Sequence, residues 1–146
     1  MPTIGRVVGA LTFAAAAYYV STLVQELFLE ERQFPNLAVI NAVLGIIVGW
    51  RLAGGRAGQG WNAALGYWLT TTIGLAFVCL FANAFGDMIR RSMRMQYDGP
   101  LEGITDIAAI MWEYGGRIAT PEIILTALGA GLAAALVTEF FGRRYP

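Results

Sequence analysis

Four long apolar stretches, at residues 7–24, 34–50, 61–85 and 123–141, occupy most of a chain of 146 residues. Each holds roughly 17 to 25 residues, which at about 1.5 Å per helical residue matches a hydrocarbon core about 30 Å thick. A soluble domain of this size has too little interior to hide four such helices. In lipid the backbone must satisfy its own hydrogen bonds, which leaves helices or a closed barrel. The runs are continuous rather than alternating apolar and polar, so helices are expected over strands. The pattern predicts an all-α integral membrane bundle in a single domain, residues 1–146. Its spans are expected at about 5–25, 34–51, 61–90 and 121–141.

Composition sharpens this. Charged residues make up 14% of the chain, against roughly 25% in an ordinary soluble domain. They fall almost entirely between the apolar runs or at their ends. All ten basic residues are arginine, and there is no histidine. The usual imidazole metal ligand and the usual proton shuttle near neutral pH are therefore missing. Cys79 is the only cysteine, so neither an intramolecular disulfide nor a CxxC redox pair can form. Inside the third span it reads as a small buried apolar residue. The first segment resembles a secretion signal, with Arg6 before an apolar run. Its apolar core is too long, however, and Gln25-Glu26-Leu27 offers no small-residue cleavage site, so a retained span is expected.

Between the runs the turn chemistry is legible. Phe34-Pro35-Asn36 suits a short turn into the second helix, and the glycine-rich segment from Gly54 to Gly60 cannot continue that helix. Tyr97-Asp98-Gly99-Pro100 is a turn signal. Residues 101–118 then differ from the four spans. At 100° per residue, Ile104, Ile107, Ala108, Ile110, Met111, Trp112, Tyr114 and Ile118 share one arc. Glu102, Thr105, Asp106, Ala109, Glu113, Gly116 and Arg117 share the other. Each mid-bilayer charge costs roughly 2.5–3.5 kcal/mol on insertion scales, so this segment is expected as an amphipathic helix at the interface or across the bundle mouth. Thr120-Pro121-Glu122 supplies a capping hydroxyl, a first-turn proline and a first-turn acid for the last helix.

Four spans would put Arg6, Arg51, Arg56, Arg143 and Arg144 on one side and Arg32, Arg90, Arg91, Arg94 and Arg117 on the other. Arginines are equal, but the second side also carries nine of the ten acids. Weighting the short loops, the positive-inside rule favours both termini in the cytoplasm.

Small residues recur every fourth position, as in Gly5/Gly9, Gly45/Gly49, Gly66/Thr70/Gly74 and Ala127/Gly131/Ala135. Such spacing lets helix backbones approach closely in lipid. It fits packing within the bundle, or an interface with a second copy or another membrane protein centred on Gly129, Gly131 and Ala135. Arg51 and Arg56 flank the glycine-rich loop, whose N–H groups could converge on an oxyanion, or grip lipid phosphates. No Walker or dinucleotide spacing is present. Asn41 and Asn83 are expected to hydrogen-bond between helices. Small multidrug carriers have similar size and span count, but Glu26 lies at the end of the first helix rather than mid-membrane, where coupling carboxylates sit. Asp87, Asp98, Glu102, Asp106 and Glu113 read as a solvated acidic face rather than a cation site. With no histidine base and no partnered nucleophile, an enzyme is not expected. Neither a metal, a cofactor nor a nucleic-acid partner is expected.

Several stretches taken together resemble the TrgA family, small bacterial membrane proteins associated with tellurite resistance. They are Met1-Pro2-Thr3, Gly49-Trp50-Arg51 through Arg56-Ala57-Gly58-Gln59-Gly60, Leu69-Thr70-Thr71, and Asp87-Met88 to Arg94. Tyr97-Asp98-Gly99-Pro100 and Arg143-Arg144-Tyr145-Pro146 complete the series. The resemblance implies a multi-pass bacterial inner-membrane protein linked to tellurite tolerance. It carries over no catalytic or binding residue. Reducing tellurite needs electrons, and one buried thiol without a cofactor motif does not supply them. The expectation is an accessory or structural subunit that acts through helix packing with a membrane partner. The alternative is an oligomeric oxyanion transporter or exclusion channel with Arg51 and Arg56 at its mouth.

Overall fold

Apolar runs without internal proline fold as helices, and the proline, glycine and capping residues punctuate them. The computed structural model describes residues 3–27 and 36–145. Among these residues five α-helices follow in order: α1 (Ile4–Leu27), α2 (Leu37–Val48), α3 (Trp61–Met93), α4 (Pro100–Ile118) and α5 (Pro121–Arg144). No strand occurs among the described residues. Thr120 caps α5 as its sequence suggested, its hydroxyl accepting from the Ile123 N–H at 3.4 Å, with Pro121 in the first turn. The turn at residues 97–100 and the separate α4 also stand where expected. Glu30, Glu31, Arg32 and the Phe34-Pro35 turn lie outside the described residues.

One expectation needs correction. Among the described residues three helices, not four, are long and apolar enough to cross a membrane: Ile4–Glu26, Trp61–Met93 and Pro121–Arg144. The expected second span falls short. Its α-helix has 12 residues and passes into a five-residue π-helical segment, Gly49–Ala53. The wider turn is closed by the Gly54 N–H donating to the Gly49 carbonyl five residues back, at 2.8 Å. Leu37–Ala53 is thus an apolar helix of about 25 Å at 1.5 Å per residue, shorter than the other three.

α1, α2, α3 and α5 form a ring. α1 packs against α2 and α5, and α3 packs against the same two from the opposite corner. Close backbone approach holds the α1–α2 side together. A Cβ at Gly45 would stand 2.8 Å from the Phe13 carbonyl oxygen, and one at Gly49 would strike the Gly9 carbonyl. Close backbone contact of this kind is how helices associate where no hydrophobic effect draws them together. One half of the ring is filled by Phe13, Ala53, Ala64, Tyr67, Leu75, Ala134 and Ala135. At that end the start of α1, the loop after the π-helical segment, the start of α3 and the end of α5 converge. A Cβ at Gly5 would lie 2.8 Å from Ala57 Cβ and 3.5 Å from Gly142 Cα.

At the opposite end α4 lies along α3. Ile107, Ile110 and Tyr114 are buried against Ala84, with Leu80 and Met88 beside them. Its Ile118 joins Val24, Leu37 and Ile123. Leu101, Ile104 and Trp112 remain exposed on α4. Only part of the apolar arc read from the sequence therefore faces protein.

Candidate functional site

Two N–H groups of the glycine-rich loop converge on a carboxyl group of the chain itself. Glu139, fully buried near the end of α5, accepts from the Gly58 N–H at 2.9 Å and the Gly60 N–H at 2.6 Å. Both glycines have positive φ, +90° and +114°, a region other residues enter only under strain. That conformation turns the two N–H groups inward. The Tyr67 hydroxyl lies 3.1 Å from both Glu139 Oε2 and the Ala135 carbonyl and divides its single proton between them. Gly142 closes the site from α5, since a Cβ there would stand 2.9 Å from the Gly58 nitrogen.

Arg51 and Arg56 precede the two glycines in sequence, and both are exposed. The backbone donors they were expected to assist are already engaged by Glu139. Of the small residues read as a helix interface, Gly45 and Gly49 sit at the α1–α2 contact, and Ala135 is fully buried. A Cβ at Gly131 would collide with the Thr72 side chain of α3. Gly129 differs: it is exposed, with nothing near its Cβ position. Two residues apart on a helix means about 200° of rotation, so Gly129 and Gly131 cannot serve one interface.

A polar ladder crosses the other half of the ring. Asn83 of α3 donates from Nδ2 to Asn41 Oδ1 of α2 at 2.8 Å and to its own helix at the Cys79 carbonyl, 2.6 Å. Asn41 donates to Ser21 Oγ of α1 at 2.8 Å. The interhelical role expected of both asparagines is present. A cavity of about 470 Å³ adjoins the ladder, between the diagonal helices α1 and α3.

The acids at the α3–α4 end form a clasp. Arg91 bridges Asp87 at 3.2 Å and Asp106 at 3.3 Å. Tyr114 donates to Asp87 at 2.9 Å, and Tyr97 donates to Asp106. Burial raises the Tyr114 phenol above its usual value, helped by the hydrogen bond to Asp87 and by that group's charge. Tyr97 is raised as well, first by desolvation and then by its bond to Asp106. Glu102 accepts from the Asp98 N–H at 2.9 Å. Among the described residues no group of three acids or cysteines is placed to hold a metal ion.

Sequence reasoning missed the role of Glu139. The available signal was a carboxyl group inside an apolar run, on the same side of the bundle as a glycine-rich loop. No family model matches this chain. No curated protein and no solved structure matches it either.

Proposed function

We propose that this chain is a four-pass membrane subunit that acts by packing against a partner protein in the bilayer. In this reading α2 and its π-helical segment make the fourth crossing. They run antiparallel to α1 along the close contacts at Gly45 and Gly49, and exposed Val39, Ile40, Val43, Ile46 and Ile47 give them an outward apolar surface. The loop end, with Arg51, Arg56, Arg143 and Arg144, faces the cytoplasm of a bacterial host. The link to tellurite tolerance comes from the TrgA resemblance and is indirect, through the complex this subunit supports.

The outward face of α5 carries the reading. Gly129 and Ala133 are both exposed, four residues apart, beside exposed Leu125 and Val137. Small residues at that spacing admit a second helix backbone closely, whereas the inward pair Gly131 and Ala135 is spent within the bundle. The oxyanion-pathway alternative keeps Arg51 and Arg56 but loses the Gly58 and Gly60 N–H groups to Glu139. Purification from the host in mild detergent, with particle mass and co-purifying proteins determined, tests the proposal. A stoichiometric membrane partner is expected with the native chain, lost on Gly129→Leu with the melting temperature unchanged. A chain that purifies alone, or a partner indifferent to Gly129→Leu, would contradict it.

A further inference from the structure

The cavity between α1 and α3 exists because small side chains face it where larger ones would close it. Ala16 and Ala17 line it from α1, Ala76 from α3 and Ala127 from α5. Its volume of about 470 Å³ falls within the usual range for small-molecule sites, which also form between helices of bundles. Its chemistry is unequal along its length. No charged side chain lines it, and most of the wall is apolar, while Ser21, Asn41 and Asn83 bring polar groups together at one part of it. Asn83 spends its amide N–H groups on Asn41 and the Cys79 carbonyl. Its carbonyl Oδ1 accepts no hydrogen bond among the described residues. A second polar atom on the same wall, Thr72 Oγ1, is buried without a partner. Buried polar groups are normally paired, and the amide carbonyl left open beside the ladder offers an acceptor to a donor from outside the chain.

Access is sideways. Ile73 and Phe77 of α3 and Ile124 of α5 stand at the rim and are exposed. All three belong to helices long and apolar enough to cross a membrane. The mouth therefore faces the lipid, while Tyr114 and Ile118 of α4 close the far end.

We propose that this cavity binds an uncharged amphiphile from the lipid phase, its apolar body between α1 and α3 and its hydroxyl donating to Asn83 Oδ1. An anion or cation would meet no counter-charge there. A pure hydrocarbon would leave Asn83 Oδ1 unpaired. The inference needs the helices to lie in lipid but does not depend on the partner reading.

The experiment is photolabelling of the protein in phosphatidylcholine nanodiscs with a diazirine-bearing long-chain alcohol, adducts mapped by peptide mass spectrometry. Saturable labelling is expected around Cys79–Asn83 and on the facing turn of α1, displaced by excess 1-dodecanol and far less by dodecane. Asn83→Leu should weaken binding about fivefold, the worth of one net hydrogen bond. Ala127→Phe, which fills the cavity from α5 without touching the amide pair, should abolish the labelling. Labelling that never saturates, that persists in Ala127→Phe, or that dodecane displaces as well as dodecanol would overturn the proposal. Each of those results would mean adventitious partitioning or occupation by ordinary acyl chains.

Discussion

Replacing Glu139 tests the latch from which the loop end is built. Glu139→Leu removes the acceptor of two backbone N–H groups, at 2.9 and 2.6 Å. Tyr67 keeps the Ala135 carbonyl at 3.1 Å and is not orphaned. An orphaned buried donor costs about 1–3 kcal/mol. Gly58 is exposed and Gly60 half-buried, so water replaces part of what is lost and the lower half of that range applies. Two donors then amount to about 3 kcal/mol, which for a domain of this size lowers the melting temperature by roughly 10 °C. Glu139→Gln keeps one acceptor oxygen but turns an NH₂ group toward the second N–H, and should fall about half as far. The assay is thermal melting in detergent, paired with hydrogen exchange over residues 54–60. Faster exchange confined to that loop in both variants is expected. A Glu139→Leu protein that melts within about 2 °C of the native chain, with unchanged loop exchange, would refute the latch.

Three further outcomes follow from the packing and the clasp. Gly49→Val should destabilise by about 1–3 kcal/mol, since the side chain meets the Gly9 carbonyl and Phe13 in an already close-packed contact. Gly66→Ala, open on its exposed face, should instead stabilise by about 0.5–1 kcal/mol through helix propensity; equal melting shifts for the two would contradict the assignment of faces. In a double-mutant cycle, Asn41→Leu and Asn83→Leu should couple by about 0.6 kcal/mol, the average for polar pairs between membrane helices, and zero coupling would remove the ladder. The clasp should weaken in alkali. Tyr97 and Tyr114 are both raised above the usual phenol value of 10.0 in the folded protein. Their contribution is therefore complete below that value and is lost as pH rises through the folded values. The protection of α4 amides, taken as their exchange relative to the base-catalysed rate of an unfolded amide, should fall above about pH 10, and Tyr114→Phe should remove part of that fall; protection that stays constant with pH would contradict it.

Much of this architecture could be read from residue order alone because its signals are local. The Thr120-Pro121 start, the turn before Pro100 and the apolar runs of α1, α3 and α5 each depend on neighbours in sequence. Asn41 and Asn83 stood out because amides are costly in lipid without partners. Two features depended on distant geometry instead. Glu139 meets Gly58 and Gly60 across about 80 residues, and no local pattern names that pairing. The inward side of α5 was hidden for another reason. A helix in lipid is apolar all round, so periodicity cannot distinguish the face toward protein from the face toward lipid. Gly129 and Gly131 thus looked equivalent until Thr72 was seen against one of them. At Gly49 the close approach to Gly9 coincides with the start of the π-helical segment.

In the four-pass arrangement proposed above, the glycine loop and the end of α5 lie on one side of the membrane and the α3–α4 turn on the other. Single cysteines at Gly55, Asp98 and Arg144, each in a Cys79→Ala background, can be probed with a membrane-impermeant maleimide on intact spheroplasts. The account predicts labelling at Asp98 in intact cells, and at Gly55 and Arg144 only after permeabilisation. Labelling of Gly55 together with Asp98, or of Gly55 and Arg144 from opposite sides, would contradict it.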